Sequence, residues 1–253
     1  MGKLLKYEFR KTWAVKLIIL GLAAILEIAF LAGVFLRNSQ GNTDNLIGTT
    51  AALLAFLALG GVMIIGIQSV MTLHRDMNTR QGYMLYMTPK SSFQILGAKM
   101  AENGLSLALA GAFFFLLGLL DVTLLLSKLG QLEVLWKYFQ DFVRMMNREI
   151  ELNTRGVLCL VVEMLASWLA TVSIAYLADI ISSALLNGKK FNGLVAFLFF
   201  ILLTMALNWL QHLFVPGGMP VISMLLVQAV VALIYSAVMY VISALVMDRY
   251  LSV

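Results

Sequence analysis

The sequence contains few charged residues, one cysteine and three prolines. Asp, Glu, Lys and Arg make up 12% of its 253 residues, whereas soluble domains carry roughly 25%. So few charges could not cover a water-facing surface, and 61% of the chain is hydrophobic. This composition excludes a disordered, collagen-like or coiled-coil protein. Because Cys159 is the single cysteine, a disulfide framework and a cysteine metal site are excluded as well.

Long uncharged runs predict an all-α polytopic membrane protein, with residues 1–253 forming one transmembrane domain of six helices. A span needs about 20 mostly apolar residues. The uncharged run 191–247 is too long for one span, and its segment 215–220 contains two prolines and two glycines that predict a hairpin. The predicted spans are 17–36, 46–73, 93–127, 156–181, 193–214 and 220–246.

The basic residues predict that both termini are cytoplasmic. With six spans the termini share one side, and twelve of the 18 lysines and arginines then lie on that side, as the positive-inside rule requires. We therefore expect a multi-pass protein of the bacterial plasma membrane. The net charge of +5 is explained by this topology, so no nucleic-acid partner is expected. The run 17–36 exceeds the roughly 7–15 residues of a signal-peptide core, so we expect a span there.

Two segments outside the spans are amphipathic. In 1–16, Leu5, Phe9 and Trp13 recur every four residues, which predicts a helix lying on the inner leaflet. In 131–150 an apolar stripe at helical spacing predicts a segment on the outer surface; its members are Leu135, Phe139, Phe142 and Met146. The alternative for either segment is a simple extension of the neighbouring span.

The loop 74–92 carries its own helix signals. Asn78 followed by Gln81 is typical of a helix N-terminus, and Pro89 stops a helix at the preceding residue. The pattern predicts a short cytoplasmic helix over 79–87. Its apolar side chains need cover, either from a docking partner or from the membrane surface; they are Tyr83, Met84, Leu85, Tyr86 and Met87.

The same region resembles the coupling segment of ABC-2-type transporter permeases. The matching residues are Arg75-Asp76, Gly82, Met84-Leu85, Thr88-Pro89, Ser91 or Ser92, Ile95-Leu96 and Lys99. The basic amphipathic start, Lys3 to Lys11, is also similar to that family. Met84 stands where many members carry a glutamate.

The resemblance implies the permease subunit of an ATP-binding cassette exporter. Such a subunit forms half of a pathway for a hydrophobic, drug-like or peptide substrate, including antimicrobial peptides. It implies a second permease, copy or paralogue, and two ATPase subunits that hold ATP and magnesium. The residues that it assigns to coupling are Asp76, Asn78, Arg80, Gly82, Tyr83, Met84, Leu85, Tyr86, Met87 and Pro89.

The chain has none of the motifs that would make it an enzyme or give it a cofactor or metal. A phosphate-binding loop has the pattern G-x-x-x-x-G-K-[ST]. The nearest match ends in Gly188-Lys189-Lys190, but Ser183 stands where this pattern requires its first glycine. His74 and His212 are the only histidines and lie outside any H-E-x-x-H pattern. No catalytic set is expected, and ATP hydrolysis is expected on a partner.

Acids inside the spans are the other functional candidates. Glu27 lies in the middle of a span, where a charge costs about 2.5–3.5 kcal/mol, so it should face protein or water. Four further polar residues in outer half-spans, Asp121, Glu163, Asn208 and Gln228, together with His212, could form a substrate path with it, or interhelical hydrogen bonds. By contrast, Glu102, Asp179 and Asp248 are expected to be solvated near the cytoplasmic boundary.

Two other functions remain open at this point. One is a small ATP-independent carrier or a substrate-binding membrane subunit. The other is a regulatory or immunity membrane protein that transports nothing. Uptake without ATP would identify a carrier, whereas an ATPase encoded nearby would indicate an exporter.

Overall fold

The computed structural model describes residues 2–37, 43–78, 91–130, 154–186, 191–215 and 219–250, with scattered residues between 133 and 145. The described chain contains six long helices in the order α1 Gly2–Phe35, α2 Asp44–Asn78, α3 Ser92–Leu129, α4 Thr154–Leu186, α5 Asn192–Phe214 and α6 Val221–Tyr250. The residues predicted as a coupling helix at 79–87 and as the apolar stripe of 131–150 lie outside the described part.

All six helices are long and apolar enough to cross a membrane. The shortest, α5, has 23 residues and spans about 34 Å at 1.5 Å per residue, which exceeds a hydrocarbon core of about 30 Å. In the most apolar 18-residue window of each helix, at most 39% of the residues are buried within the protein. The remaining apolar surface is typical of a multi-pass membrane protein, and the prediction of six helices long and apolar enough to span a membrane is confirmed.

The first helix differs from the predicted arrangement. Residues 2–16 do not form a separate helix, because α1 runs without a break from Gly2 to Phe35. Glu8 and Thr12 of this segment are buried inside the protein, which a helix lying free on the leaflet would not achieve. The segment therefore extends the first span, which was the alternative interpretation.

Local signals in the sequence explain where several helices begin and end. The backbone N–H of Gln94 donates to Ser91 Oγ at 3.4 Å, so Ser91 caps the N-terminus of α3. After α3, Gly130 adopts φ +67°, a left-handed conformation that ends helices and that glycine adopts without strain. The predicted division of the run 191–247 is confirmed, because α5 ends at Phe214 and α6 begins at Val221.

The chain forms two compact units, and the first comprises Met1–Ser69 and Ala101–Asp141. Its apolar core is formed by residues of α1 and α2: Phe30, Val34, Ile47 and Leu54. A Cβ added at Gly33 would lie 3.0 Å from Ile47 Cγ1, and one at Gly61 would lie 3.0 Å from Ile19 Cγ2. These glycines allow the close approach of α1 and α2 that small residues provide in membrane bundles.

The second unit comprises Val70–Met100 and Phe142–Val253. Helices α4, α5 and α6 pack against one another in it, around a core of Ala166, Ala170, Ile174, Leu177, Leu207, Ala229, Val231, Ala232 and Met239. Small alanines let α4 and α6 lie close together. The end of α4 is fastened to the start of α5, because Ser182 Oγ donates to the Asn192 carbonyl at 2.6 Å and Asn192 Nδ2 donates to Ser183 Oγ at 3.0 Å.

Candidate functional site

A buried ion pair joins the two helix ends that flank the loop. Lys99 Nζ, near the start of α3, donates to Asp76 Oδ2, near the end of α2, at 2.7 Å. Both side chains are buried. An unpaired charge in such surroundings would be costly, so the pair fixes the distance between the two helices at this level.

The same two helix ends are tied to α4 and α6. His74 Nδ1 of α2 lies 2.6 Å from Asp179 Oδ1 of α4. Ser92 Oγ of α3 donates to an oxygen of Asp248 on α6, and the Tyr240 hydroxyl of α6 donates to the Phe93 carbonyl at 2.5 Å. We call these residues, with the ion pair, the loop-flanking cluster: His74, Asp76, Ser92, Phe93, Lys99, Asp179, Tyr240 and Asp248.

The cluster corrects one expectation from the sequence. Asp76, which the resemblance assigns to coupling, is buried against Lys99, and its coupling role stays a prediction. Asp179, expected to be solvated, is buried against His74 because both lie at the same level of neighbouring helices. Asp248 is exposed, as expected. Asn78 is the last residue of α2, while Arg80, Gly82–Met87 and Pro89 lie outside the described residues.

A second polar network lies in the first unit, between α1 and α3. Glu102, also expected to be solvated, is buried. Its Oε1 accepts hydrogen bonds from Thr12 Oγ1 at 2.8 Å and Ser106 Oγ at 3.0 Å, and it pairs with the Lys16 ammonium. Gln68 of α2 adds a hydrogen bond from its Nε2 to the Thr12 carbonyl at 3.2 Å. We call Thr12, Lys16, Glu102 and Ser106 the Glu102 network.

Glu27 and Asp121 come together in the first unit. Their carboxyl groups, one on α1 and one on α3, lie close enough to interact with each other. Glu27 Oε2 and Asp121 Oδ1 are buried and receive no hydrogen bond from any described residue. Two of the five proposed path residues therefore meet, which agrees equally with a substrate path and with an interhelical contact.

Two cavities open between α1, α2 and α3 of the first unit. One, of about 230 Å³, has Asp121 in its wall, and we call it the Asp121 cavity. The other, of about 270 Å³, has Lys16 and Ser106 in its wall. The Lys16 charge in the second cavity is already matched by Glu102, whereas the carboxyl group in the Asp121 cavity faces another carboxyl.

The other three proposed path residues belong to the second unit and do not form a polar site there. Glu163 accepts a hydrogen bond from Ser167 Oγ on its own helix at 2.6 Å. Asn208 is exposed on α5 and Gln228 is partly buried on α6. No hydrogen bond in the described chain joins any two of them.

Sequence reasoning missed the pairing of charges near the helix ends. Lys16 was interpreted only as a topology signal, and Lys99 only as a topology signal and a part of the family resemblance, yet each neutralises a buried acid. The sequence signal that could have predicted these pairs is an acidic and a basic residue at similar depths in two neighbouring spans. Across the described ranges, no three His, Cys, Asp or Glu side chains are grouped as a metal site would need.

Comparison with known proteins gives no relative for this chain. No family model matches it, and no curated protein or solved structure is significantly similar. The candidate function therefore depends on the side chains and helices described above and on the resemblance of the loop sequence.

Proposed function

We propose that this chain is the membrane-spanning subunit of an ATP-driven exporter of the ABC-2 type. Two such permeases, copies or paralogues, would surround the pathway, and two separate ATPase subunits would supply ATP hydrolysis. The coupling segment is Asn78 to Met87, which extends α2 towards α3 in the sequence.

The observation that carries the proposal is the loop-flanking cluster. A segment that transmits force must be attached to helices that move with it, not to slack chain. The residues on either side of 79–90 are bonded to one another through Asp76–Lys99, to α4 through His74–Asp179 and to α6 through Ser92–Asp248. A push on the segment would therefore reach four helices through polar contacts, of which the Asp76–Lys99 pair is buried and resists rearrangement most.

The length and composition of the loop support the same conclusion. Antiparallel helices can be joined by about 2–8 residues, but 13 residues, 79–91, separate α2 from α3. Five of them in succession are large and apolar, Tyr83 to Met87. Aromatic side chains of this kind are the usual anchors of protein interfaces.

The proposal requires both termini and the loop to be cytoplasmic. In a Cys159→Ser background, we expect a membrane-impermeant maleimide added outside intact cells to label Lys137→Cys and to leave Arg80→Cys unlabelled until the cells are permeabilised. The reverse labelling pattern would contradict the topology, and with it the coupling role of the loop.

Coupling is tested by removing two anchors. We expect Tyr83→Ala with Leu85→Ala to reduce the vanadate-sensitive ATPase activity that copurifies with the tagged chain at least about tenfold, because interface anchors contribute about 2 kcal/mol or more each. Insertion of the six spans should remain normal. Tyr7→Ala with Leu36→Ala removes the same side-chain types from exposed sites outside the loop and should leave that activity unchanged.

Unaltered copurification of the ATPase with the Tyr83/Leu85 variant would refute docking and favour a loop that folds onto the membrane surface. Transport by the purified chain alone, in vesicles without ATP, would instead identify the small carrier.

A further inference from the structure

The carboxyl groups of Glu27 and Asp121 form an acidic pair in which one oxygen of each has no hydrogen-bond donor among the described residues. Asp121 is only 9% exposed, and its Oδ1 and the Oε2 of Glu27 are buried without a hydrogen bond from any described residue. A buried carboxyl without a donor is costly, and two of them facing each other are more so. The pair therefore requires something that the described side chains do not provide.

Asp121 also lies in the wall of a cavity that is otherwise apolar. The remaining wall of the Asp121 cavity consists of Phe30, Ala51, Leu54, Ala55, Ala58, Phe114, Leu117, Gly118, Val122 and Leu125. Its volume is about 230 Å³, and an apolar cavity of about 150 Å³ can hold benzene. One aromatic ring with a short alkyl chain would therefore fit.

The chemistry of this wall selects the type of ligand. A metal cation such as calcium or magnesium needs about six oxygen ligands, but among the described residues Asp121 is the only one that brings a side-chain oxygen to the cavity wall. A neutral apolar molecule would offer no donor to the two carboxyl groups, which could then share only a proton. An ammonium group donates hydrogen bonds and carries the opposite charge, and the rings of Phe30 and Phe114 can contribute cation–π attraction.

We propose that Glu27 and Asp121 bind the ammonium group of an amine whose apolar body occupies the Asp121 cavity. The ligand class is thus a lipophilic organic cation. Its role as the exporter's cargo rests on the proposed function, whereas its binding to the purified chain does not.

The test measures binding of radiolabelled 4-phenylbutylamine to the full chain in nanodiscs of zwitterionic phosphatidylcholine, with empty discs as background. The amine is protonated at pH 7, because alkyl ammonium groups titrate near pH 10.4. We expect saturable binding, and we expect 4-phenyl-1-butanol, which keeps an O–H donor but no charge, to compete at least about tenfold more weakly.

Variants separate the charge from the cavity. Asp121→Asn and Glu27→Gln should each weaken amine binding at least about tenfold. Gly118→Leu should do the same without altering a charge: Gly118 lines the cavity and a Cβ there meets no atom within 4 Å, so leucine can fill the space. Leucine also favours the helix over glycine, so this variant should fold.

Gly111→Leu is the matched control, because a Cβ at Gly111 also meets no atom within 4 Å and Gly111 does not line the cavity. Glu163→Gln controls for loss of an acid elsewhere. Both should bind the amine within about twofold of the parent chain.

Three results would overturn the proposal. The first is a lack of saturable binding above empty discs, which would mean that the pair holds only a proton. The second is competition by the alcohol that equals competition by the amine. The third is unchanged amine binding in Gly118→Leu. None of them involves ATP, so they would leave the exporter proposal standing. Conversely, intact amine binding with no associated ATPase would refute the exporter and keep this site.

Discussion

Replacing Lys99 with methionine is expected to lower the free energy of unfolding by about 3–5 kcal/mol. Methionine keeps the length of the apolar stem but removes the ammonium group that lies 2.7 Å from Asp76 Oδ2. The Asp76 carboxylate would then be buried without the Lys99 ammonium, and the loss of that opposite charge is the main source of the destabilisation. The measurement is SDS-induced unfolding of the purified chain in mixed micelles, followed by tryptophan fluorescence.

Lys128→Met is the matched control for this experiment. Lys128 lies on the same helix, is exposed, and its Nζ is 5.2 Å from the centroid of the Phe35 ring. Such an exposed cation–π contact contributes about 0.5–1 kcal/mol. A loss of that size for Lys99→Met as well would show that water reaches the Asp76–Lys99 pair.

The double variant Asp76→Leu with Lys99→Met separates the charge from packing. Replacing a whole buried ion pair with apolar side chains is often neutral, because no charge stays buried. We therefore expect the double variant to regain most of the stability that Lys99→Met loses. A double variant as unstable as the single one would assign the loss to packing and contradict the electrostatic explanation.

The extent of the helices could be predicted only in part. For α5 the prediction was within one residue, 193–214 against Asn192–Phe214, because an uncharged run and a Pro-Gly hairpin mark both ends. For α2 the apolar run stops at 73, but the helix continues to Asn78. The helix can include His74 and Asp76 because the side chains of both residues are paired with residues of other helices. Hydropathy marks the lipid boundary, not the end of the helix.

The candidate site was predicted less well, for a physical reason. The cost of a charge in lipid singles out Glu27 from the sequence alone. Its meeting with Asp121, more than 90 positions away, depends on how α1 and α3 are rotated and shifted, which local pattern does not specify. Lys16 and Glu102 likewise each resemble a solvated helix end until the register of the two helices brings them together.

The Glu102 network should show a strong asymmetry between its two charges. The Glu102 side chain is 5% exposed and that of Lys16 is 15% exposed. Lys16→Met leaves the more deeply buried charge with two hydroxyl donors, so we expect a loss of about 3 kcal/mol or more in the free energy of unfolding. Glu102→Gln keeps an acceptor for Thr12 and Ser106 and leaves the less buried charge behind, so its cost should be about 1–2 kcal/mol.

A double-mutant cycle then decides whether the two side chains act as a pair. Once Lys16 is methionine, Glu102→Gln removes a buried charge that has no counter-ion, so it should stabilise the chain. The coupling energy should therefore be at least about 1.5 kcal/mol, whereas Lys6→Met, an exposed lysine on the same helix, should change stability by less than about 0.5 kcal/mol. Additive losses would mean that each charge is solvated separately, and α1 would then be held to α3 by apolar contacts alone at this level.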